Sequence, residues 1–223
     1  MKLHIYAVRH GQTYFNRYNR LQGWSNAPLT AQGITDADEV GKRLSQINFR
    51  AAYSSDTDRA QVTAQRILKL NIASQPRPEL KAIMNFREQF YGYFEGQDMG
   101  SAWLAAGGPH GAPTYTQIVK QFGLAATRDF LKEADPFHDA ESDTEYWRRV
   151  EQGFQVIASD PQLLDNDRVL IVWHGNSLLS LVHRFGGSAY EHSERPKNGS
   201  VTCFDFDSNL SFEESIRIVS YGQ

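Results

Sequence analysis

Two short apolar runs in this chain end in the same way, in a histidine followed by a glycine. The first run, residues 3–8, leads through an arginine to His10, and the second, residues 168–173, leads directly to His174. Continuous apolar runs of this length are typical of strands buried on both faces, as in a parallel sheet. Ligands of open α/β sheets bind outside the carboxyl ends of such strands. If the two strands are neighbours, both imidazoles point into one crevice.

Segments with helical spacing of apolar residues alternate with these runs. Ser142 and Glu145 form a capping-box signature before an apolar stripe that starts at Tyr146. Thr30 and Asp56 are candidate N-caps of two earlier helices. Further strands are predicted at 51–54, 201–206 and 215–221, and a further helix runs from His174 to Gly186-Gly187. The alternation predicts one α/β domain over 1–223, a three-layer α/β/α fold with a mainly parallel central sheet.

The segment 85–141 interrupts this alternation. It is rich in glycine and aromatic residues and shows only weak periodicity. Long irregular segments in compact domains are usually functional, and aromatic side chains at this density need somewhere to pack. We therefore predict that 85–141 is an inserted cap over the active site and not a disordered loop.

Composition and charge exclude several classes of partner. Lysine and arginine number 23 and aspartate and glutamate 26, interspersed, for a net charge of −3. This balance disfavours nucleic acid as a partner. No apolar run approaches the ~20 residues that a membrane helix needs, and no cleavable signal precedes the first strand, so we expect no membrane association and a cytoplasmic location. The single cysteine, Cys203, reads as a buried, inert thiol and fits a reducing compartment. The sequence makes no prediction of the oligomeric state.

Two arginines suit a phosphate ligand. Arg9 precedes His10 and carries a planar guanidinium fork that matches phosphate oxygens. Arg59 falls in the first turn of the helix predicted after Asp56, where the helix dipole disfavours a cation. Arg59 is explained there if it reaches an anion. The alternative is a surface ion pair with Asp56 or Asp58.

Four ordered blocks of the sequence resemble the signature of the histidine phosphatase superfamily, the phosphoglycerate mutase-like group. They are Arg9-His10-Gly11 with Thr13, Asn16, Gln22-Gly23 and Pro28-Leu29-Thr30; Ser54-Ser55-Asp56 through Arg59-Ala60; Glu88 through Tyr91-Gly92 to Glu95-Gly96; and His174-Gly175-Asn176-Ser177-Leu178. Together the blocks cover nearly the whole chain.

The resemblance implies an enzyme that acts on a small phosphorylated substrate. His10 would attack phosphorus in line and become a phosphohistidine. Arg9, Arg59 and His174 would hold the phosphoryl oxygens, and Glu88 would act as the general acid and base. Further contacts to phosphate or product are expected from Asn16, Gln22, Gly23, Tyr91, Gly175 and Asn176.

Neither a metal nor another cofactor is expected. His10, His174 and Glu88 could in principle form a site of two histidines and one carboxylate, but the arginine beside His10 would repel a cation. The other histidines occur singly, and ordinary packing or surface roles are predicted for them: His4, His110, His138, His183 and His192.

The blocks leave hydrolase and mutase open. Glu88-x-x-Tyr91-Gly92 and His174 to Leu178 resemble the mutase versions, whereas Leu21-Gln22-Gly23 and Gln97 to Gly100 do not. Trp147-Arg148-Arg149 resembles a mutase tripeptide that grips the substrate carboxylate, but it falls inside the predicted helix after Ser142. With no carboxylate clamp, water would compete for the phosphoryl group. The sequence therefore favours a phosphatase of small phosphomonoesters. The alternatives are a cofactor-dependent phosphoglycerate mutase and a non-catalytic module that binds phosphorylated ligands.

Overall fold

The structure is a computed structural model that describes residues 1–190 and 194–223. Within these residues six strands form one sheet. They are β1 (Lys2–Arg9), β2 (Ala51–Ser55), β3 (Leu80–Ile83), β4 (Arg168–Trp173), β5 (Val201–Asp207) and β6 (Ile216–Ser220). The strand order is β3-β2-β4-β1-β5-β6. The first four strands of this order are mutually parallel, whereas β5 and β6 are antiparallel to their neighbours. The predicted α/β fold with a mainly parallel sheet is confirmed.

Helices cover both faces of this sheet. The α-helices of the described chain are α1 (Tyr14–Arg17), α2 (Ala31–Arg43), α3 (Asp58–Leu70), α4 (Met99–Gly107), α5 (Tyr115–Phe122), α6 (Ala125–Ala134), α7 (Asp143–Ala158) and α8 (Gly175–Phe185). Along β4, Val169, Ile171 and Trp173 pack against α7 and α8. The alternate residues Leu170 and Val172 pack against α2 and α3. This two-residue alternation separates the two cores and produces the three layers.

Local signals set most of the helix starts. The Thr30 side chain accepts the backbone N–H of Gly33 at 3.0 Å, and Ser142 and Glu145 complete a capping box. The prediction of Asp56 as an N-cap is wrong. The N-cap of α3 is Thr57, one residue later, because the Asp56 carboxylate is taken up by an ion pair with Arg87 at 2.7 Å.

The segment 85–141 is more regular than its sequence pattern indicates. It contains α4, α5 and α6, which pack around a separate apolar cluster that includes Trp103, Ile118 and Leu131. Each of these helices has only 8 to 10 residues, so two or three turns carry too few apolar positions to show a clear period. The division of the chain into a domain and an inserted cap stays a prediction.

Three smaller predictions have different outcomes. Strand β3 was not predicted, because this four-residue edge strand is half-exposed and lacks an apolar run. Cys203 lies on β5 but is only partly buried, and this partial burial raises the pKa of its thiol. The prediction of an ordinary role for His192 falls outside the described residues. No helix in the described ranges is both long enough and apolar enough to cross a membrane.

Candidate active site

The two histidines that end β1 and β4 lie side by side. These strands are parallel neighbours, and their register pairs Arg9 with Trp173, so His10 and His174 follow at the same edge of the sheet. Their ring centroids are 5.2 Å apart. The side chain of His10 is 4% exposed and that of His174 is 1% exposed. The convergence expected from the sequence is present in the structure.

A hydrogen bond and nearby charges define the state of His10. Its Nδ1 lies 2.8 Å from the carbonyl oxygen of Gly11. A carbonyl only accepts, so Nδ1 carries the proton and Nε2 has a free lone pair. Burial, and then the positive charges of Arg59 and Arg9, hold the pKa of His10 well below its usual value of 6.5. At neutral pH His10 is therefore an uncharged imidazole that can act as a nucleophile.

His174 has no hydrogen-bond partner on either ring nitrogen among the described residues, although it is buried. Burial, followed by the charge of Arg59, lowers its pKa well below 6.5. Buried polar atoms in native proteins are almost always hydrogen-bonded. Two unpartnered nitrogens beside His10 are therefore suited to bind a ligand atom held at His10.

Arg9 lies on the crevice wall with one of its donors unused. Its Nη1 donates to the carbonyl of Pro196 at 2.5 Å, while its buried Nε has no partner among the described residues. Burial, together with the nearby charge of Arg195, lowers the pKa of Arg9 to about 10. The guanidinium thus stays charged at neutral pH and is available to an anion.

Arg59 is buried behind the crevice and holds a loop. It is 1% exposed, which excludes the alternative of a surface ion pair. Its terminal nitrogens donate to the carbonyls of Gly23 at 2.7 Å and Ser25 at 3.0 Å. Burial lowers its pKa to about 10, so it is still a cation at neutral pH. Arg59 is not on the crevice wall.

Glu95 holds the same loop from its amide side. Its carboxylate accepts the backbone N–H groups of Gly23, Trp24 and Ser25 at 3.1, 2.8 and 3.1 Å. The Gly23 N–H expected to contact phosphate is therefore already bonded, and Gly23 lies off the crevice wall. Gln22, in contrast, lines the crevice and has a buried Nε2 without a partner among the described residues. The amide of Gln22 is the part of this loop that faces a ligand.

Glu88 lines the crevice at the beginning of α8. Its Oε2 accepts the backbone N–H of Asn176 at 2.8 Å, and its Oε1 accepts the hydroxyl of Ser177 at 2.8 Å. A helix N-terminus attracts negative charge, which places the carboxylate there. Asn176 also donates through Nδ2 to the hydroxyl of Tyr91 at 2.7 Å, and its buried Oδ1 has no partner among the described residues.

A single buried arginine anchors the loop that carries Glu88. Arg149 donates to the carbonyls of Asn85, Arg87 and Glu88 at 2.8, 3.0 and 3.2 Å. It also forms a two-pronged ion pair with Glu141 at 2.6 and 2.7 Å. All the donors of Arg149 are used within the protein, so Arg149 is not available to grip a substrate carboxylate.

The glycines after the two histidines allow other protein atoms to approach the backbone closely. A Cβ atom at Gly11 would lie 2.1 Å from the carbonyl oxygen of Gly33. A Cβ atom at Gly175 would lie 2.8 Å from Cδ of Arg195 and 3.0 Å from Cζ of Arg9. The atoms that approach both positions belong to the protein itself.

Most of the predicted site residues meet at this crevice, and three further residues line it. The predicted ones on its wall are Arg9, His10, Asn16, Gln22, Glu88, Tyr91, Gly175 and Asn176, while His174, Arg59 and Gly23 are not among the residues that line it. Arg20, Met99 and Arg195 also line the crevice and were not predicted. Arg195 lies outside the motif blocks, whereas Arg20 lies between Asn16 and Gln22 of the first block and Met99 begins α4; none of the three is itself a motif residue.

The fold and the crevice define a class of α/β enzymes with a neutral, buried histidine at a switch point of the sheet. The family model of the histidine phosphatase superfamily (branch 1) matches residues 5–103. The 2,3-bisphosphoglycerate-dependent phosphoglycerate mutase of Bartonella bacilliformis is 32% identical over 197 residues, which cover 86% of this chain and 85% of that protein. The same enzyme of Brucella ovis is 30% identical, with 81% and 80% of the chains covered.

A solved structure agrees with these relatives. The phosphoglycerate mutase from Bacillus anthracis superposes with a TM-score of 0.86 at 28% identity, covering 99% of this chain and 93% of that one. The chain belongs to the histidine phosphatase superfamily, the family that its four motif blocks resemble.

The preference for a phosphatase is contradicted by these relatives, because the proteins at about 30% identity over most of the chain are named as mutases. The preference rested on a missing carboxylate clamp among the motif residues. The structure places two more arginines, Arg20 and Arg195, on the crevice wall. Neither is one of the motif residues, so the argument from motif residues alone undercounted the cations of the site.

Proposed function

We propose that this protein is a 2,3-bisphosphoglycerate-dependent phosphoglycerate mutase, which interconverts 3-phosphoglycerate and 2-phosphoglycerate through a phosphohistidine on His10. The observation that carries the proposal is the identity of about 30% with mutases over about four-fifths of both chains. The local chemistry at His10 is consistent with it.

The residues around His10 suit a bisphosphorylated acid. Buried atoms without partners in the described chain are found on His174, Gln22 and Asn176, and each can bond to a phosphate oxygen or a hydroxyl. Arg9, Arg20 and Arg195 supply positive charge on the crevice wall. When bound, 2,3-bisphosphoglycerate supplies the phosphoryl group that loads His10.

His10 stores the phosphoryl group between the two halves of the reaction. With its proton fixed on Nδ1, His10 presents the Nε2 lone pair, so the P–N bond forms at Nε2. In the next half-reaction a hydroxyl of the bound phosphoglycerate attacks this phosphorus. The P–N bond breaks, a P–O bond forms, and His10 returns as a neutral imidazole.

Arg9 and His174 stabilise the group in transfer. Arg9 is charged, and its Nε and both ring nitrogens of His174 have no partner among the described residues. His174 adjoins the His10 ring, so both side chains can contact the equatorial oxygens. Arg59 contributes its charge from behind the crevice and holds the loop that presents Gln22. Asn16, Tyr91 and the Gly175 backbone complete the substrate contacts.

Glu88 moves the proton. It takes the proton of the attacking substrate hydroxyl and returns a proton to the leaving oxygen when the transfer runs in reverse. Its bonds to the Asn176 N–H and the Ser177 hydroxyl fix the carboxylate in the crevice, which limits the geometries it can adopt.

Phosphorus NMR tests the proposal. The protein is incubated with 3-phosphoglycerate, a trace of 2,3-bisphosphoglycerate and excess chelator, which removes metal-dependent activities. We expect 2-phosphoglycerate to accumulate without inorganic phosphate, and the product to disappear with His10→Ala. His138→Ala, at an exposed histidine outside the site, is the matched control.

Two outcomes would refute the mutase. Inorganic phosphate without 2-phosphoglycerate would show a hydrolase. Absence of turnover together with binding of 3-phosphoglycerate that survives His10→Ala would show a non-catalytic module.

A further inference from the structure

Arg195 stands on the crevice wall next to Arg9 although no motif block contains it. It lies in the connection between α8 and β5, and its side chain is half-buried. Its Nε is buried and has no hydrogen-bond partner among the described residues. A guanidinium placed this way has donors available to a ligand in the crevice.

Packing against neighbouring residues positions this side chain. Its stem passes over Gly175, where a Cβ atom would lie only 2.8 Å from Cδ of Arg195. Its Cζ lies 5.7 Å from the ring centroid of Tyr115, which lets the guanidinium lie against the ring face. Arg195 is therefore held near its position before any ligand binds.

The charges around Arg195 are unbalanced. Across the part of the chain that the structure describes, no carboxylate lies within ion-pair distance of Arg195 or of Arg9. The nearby charge of Arg195 is one cause of the lowered pKa of Arg9. The charge of Glu88 offsets only part of this, because its oxygens are hydrogen-bonded to the Asn176 N–H and the Ser177 hydroxyl and form no ion pair with either arginine among the described residues. Two neighbouring guanidinium groups without a paired carboxylate indicate that an anionic group of the ligand binds beside them.

The remaining cation on the wall is less suited to hold an anion firmly. Arg20 is exposed, and its Nη1 already donates to the carbonyl of Gly96 at 2.6 Å. An exposed arginine is screened by water and loses side-chain entropy when it orders. Arg195 is the better candidate because it is half-buried and packed in place.

We propose that Arg195 binds the carboxylate of the substrate, while His10 and Arg9 receive its phosphoryl group. The planar fork of a guanidinium matches a carboxylate with two parallel hydrogen bonds. The proposal rests on the proposed function for the identity of the substrate. It makes Arg195 the residue that selects phosphorylated acids over other phosphomonoesters.

Calorimetric binding to the unphosphorylated protein tests this without turnover. Two ligands are compared, 3-phosphoglycerate and glycerol 3-phosphate, which has a hydroxymethyl group in place of the carboxylate. We expect the wild type to bind 3-phosphoglycerate at least tenfold more tightly. Arg195→Gln should lower the affinity for 3-phosphoglycerate at least tenfold and change the affinity for glycerol 3-phosphate less than twofold. Arg195→Lys should fall between, since it keeps the charge and loses the fork.

Arg168→Gln is the matched control. Arg168 is an exposed arginine at the opposite end of β4 and should leave both affinities unchanged. Equal affinity of the wild type for the two ligands would overturn the proposal. An equal loss of affinity for both ligands in Arg195→Gln would also overturn it, because Arg195 would then hold the phosphoryl group that the two ligands share. If the carboxylate preference and its loss are observed without any mutase activity, this inference stands and the proposed function fails.

Discussion

Arg149 joins helix α7 to the loop that carries Glu88, and its removal should affect both stability and catalysis. The variant is Arg149→Met, which keeps a long apolar side chain and removes the guanidinium. The change breaks three bonds to loop carbonyls and the two-pronged pair with Glu141. The side chain of Glu141 is only 12% exposed, so it would be left as a largely buried charge without its partner.

The size of the effect follows from these contacts. Breaking a buried ion pair on one side costs about 3–5 kcal/mol in the free energy of unfolding. For a domain of this size each kcal/mol shifts the melting temperature by about 2–4 °C, so we expect a fall of roughly 6–20 °C. The loop holding Glu88 would also move, and a misplacement of about 1 Å in a catalytic group can reduce kcat about 100-fold.

The assays are thermal unfolding by circular dichroism and the mutase kcat below the melting temperature of the variant. Arg148→Met is the matched control, because Arg148 is the exposed neighbour on the same helix and should change stability by less than about 0.5 kcal/mol. In the double variant Glu141→Gln with Arg149→Met the buried charge is gone, so stability should partly return while kcat stays low.

The reasoning would be refuted by a melting temperature of Arg149→Met within 2 °C of the wild type, a threshold set by the shift expected from a change of about 1 kcal/mol. A large loss of stability with an unchanged kcat would show that Arg149 supports the fold without positioning Glu88.

Three further predictions concern pH, the core and a helix cap. The pKa values of His10 and His174 are depressed in the folded state, so the unfolded state binds more protons as the pH falls below 6.5 and stability decreases there. With two protons involved, the free energy of unfolding should fall by up to about 2.7 kcal/mol per pH unit below pH 6.5, measured by urea titration, and less steeply when both residues are glutamine. Phe154→Ala should cost about 3–5 kcal/mol by the same titration, because the fully buried ring touches five other aromatic rings; a loss below 1 kcal/mol would contradict the packing. Ser142→Ala should cost about 1 kcal/mol by removing the cap of α7, whereas Ser142→Thr should retain most of it.

Local structure was largely predictable from the sequence. Apolar runs and helix caps depend on residues that are close together in the sequence. The positions of β1, β4 and the start of α7 therefore follow from local sequence patterns. The two His-Gly endings also predicted the shared crevice, because neighbouring parallel strands end at the same edge. Where a competing partner was far away in the chain, the local rule failed. Asp56 caps no helix because Arg87, 31 residues later, takes its carboxylate.

The chain by itself thus determined the α/β class, the nucleophile candidate and the family blocks, because these depend on residue types at short spacing. Only the tertiary structure decided what surrounds His10. It showed that Arg59 binds the carbonyl groups, and Glu95 the N–H groups, of the loop after Gln22. It also brought Arg195, 185 residues from His10 in the sequence, to the same crevice. Such contacts depend on how helices and loops pack over the whole sheet, and no pattern within a few residues encodes that packing.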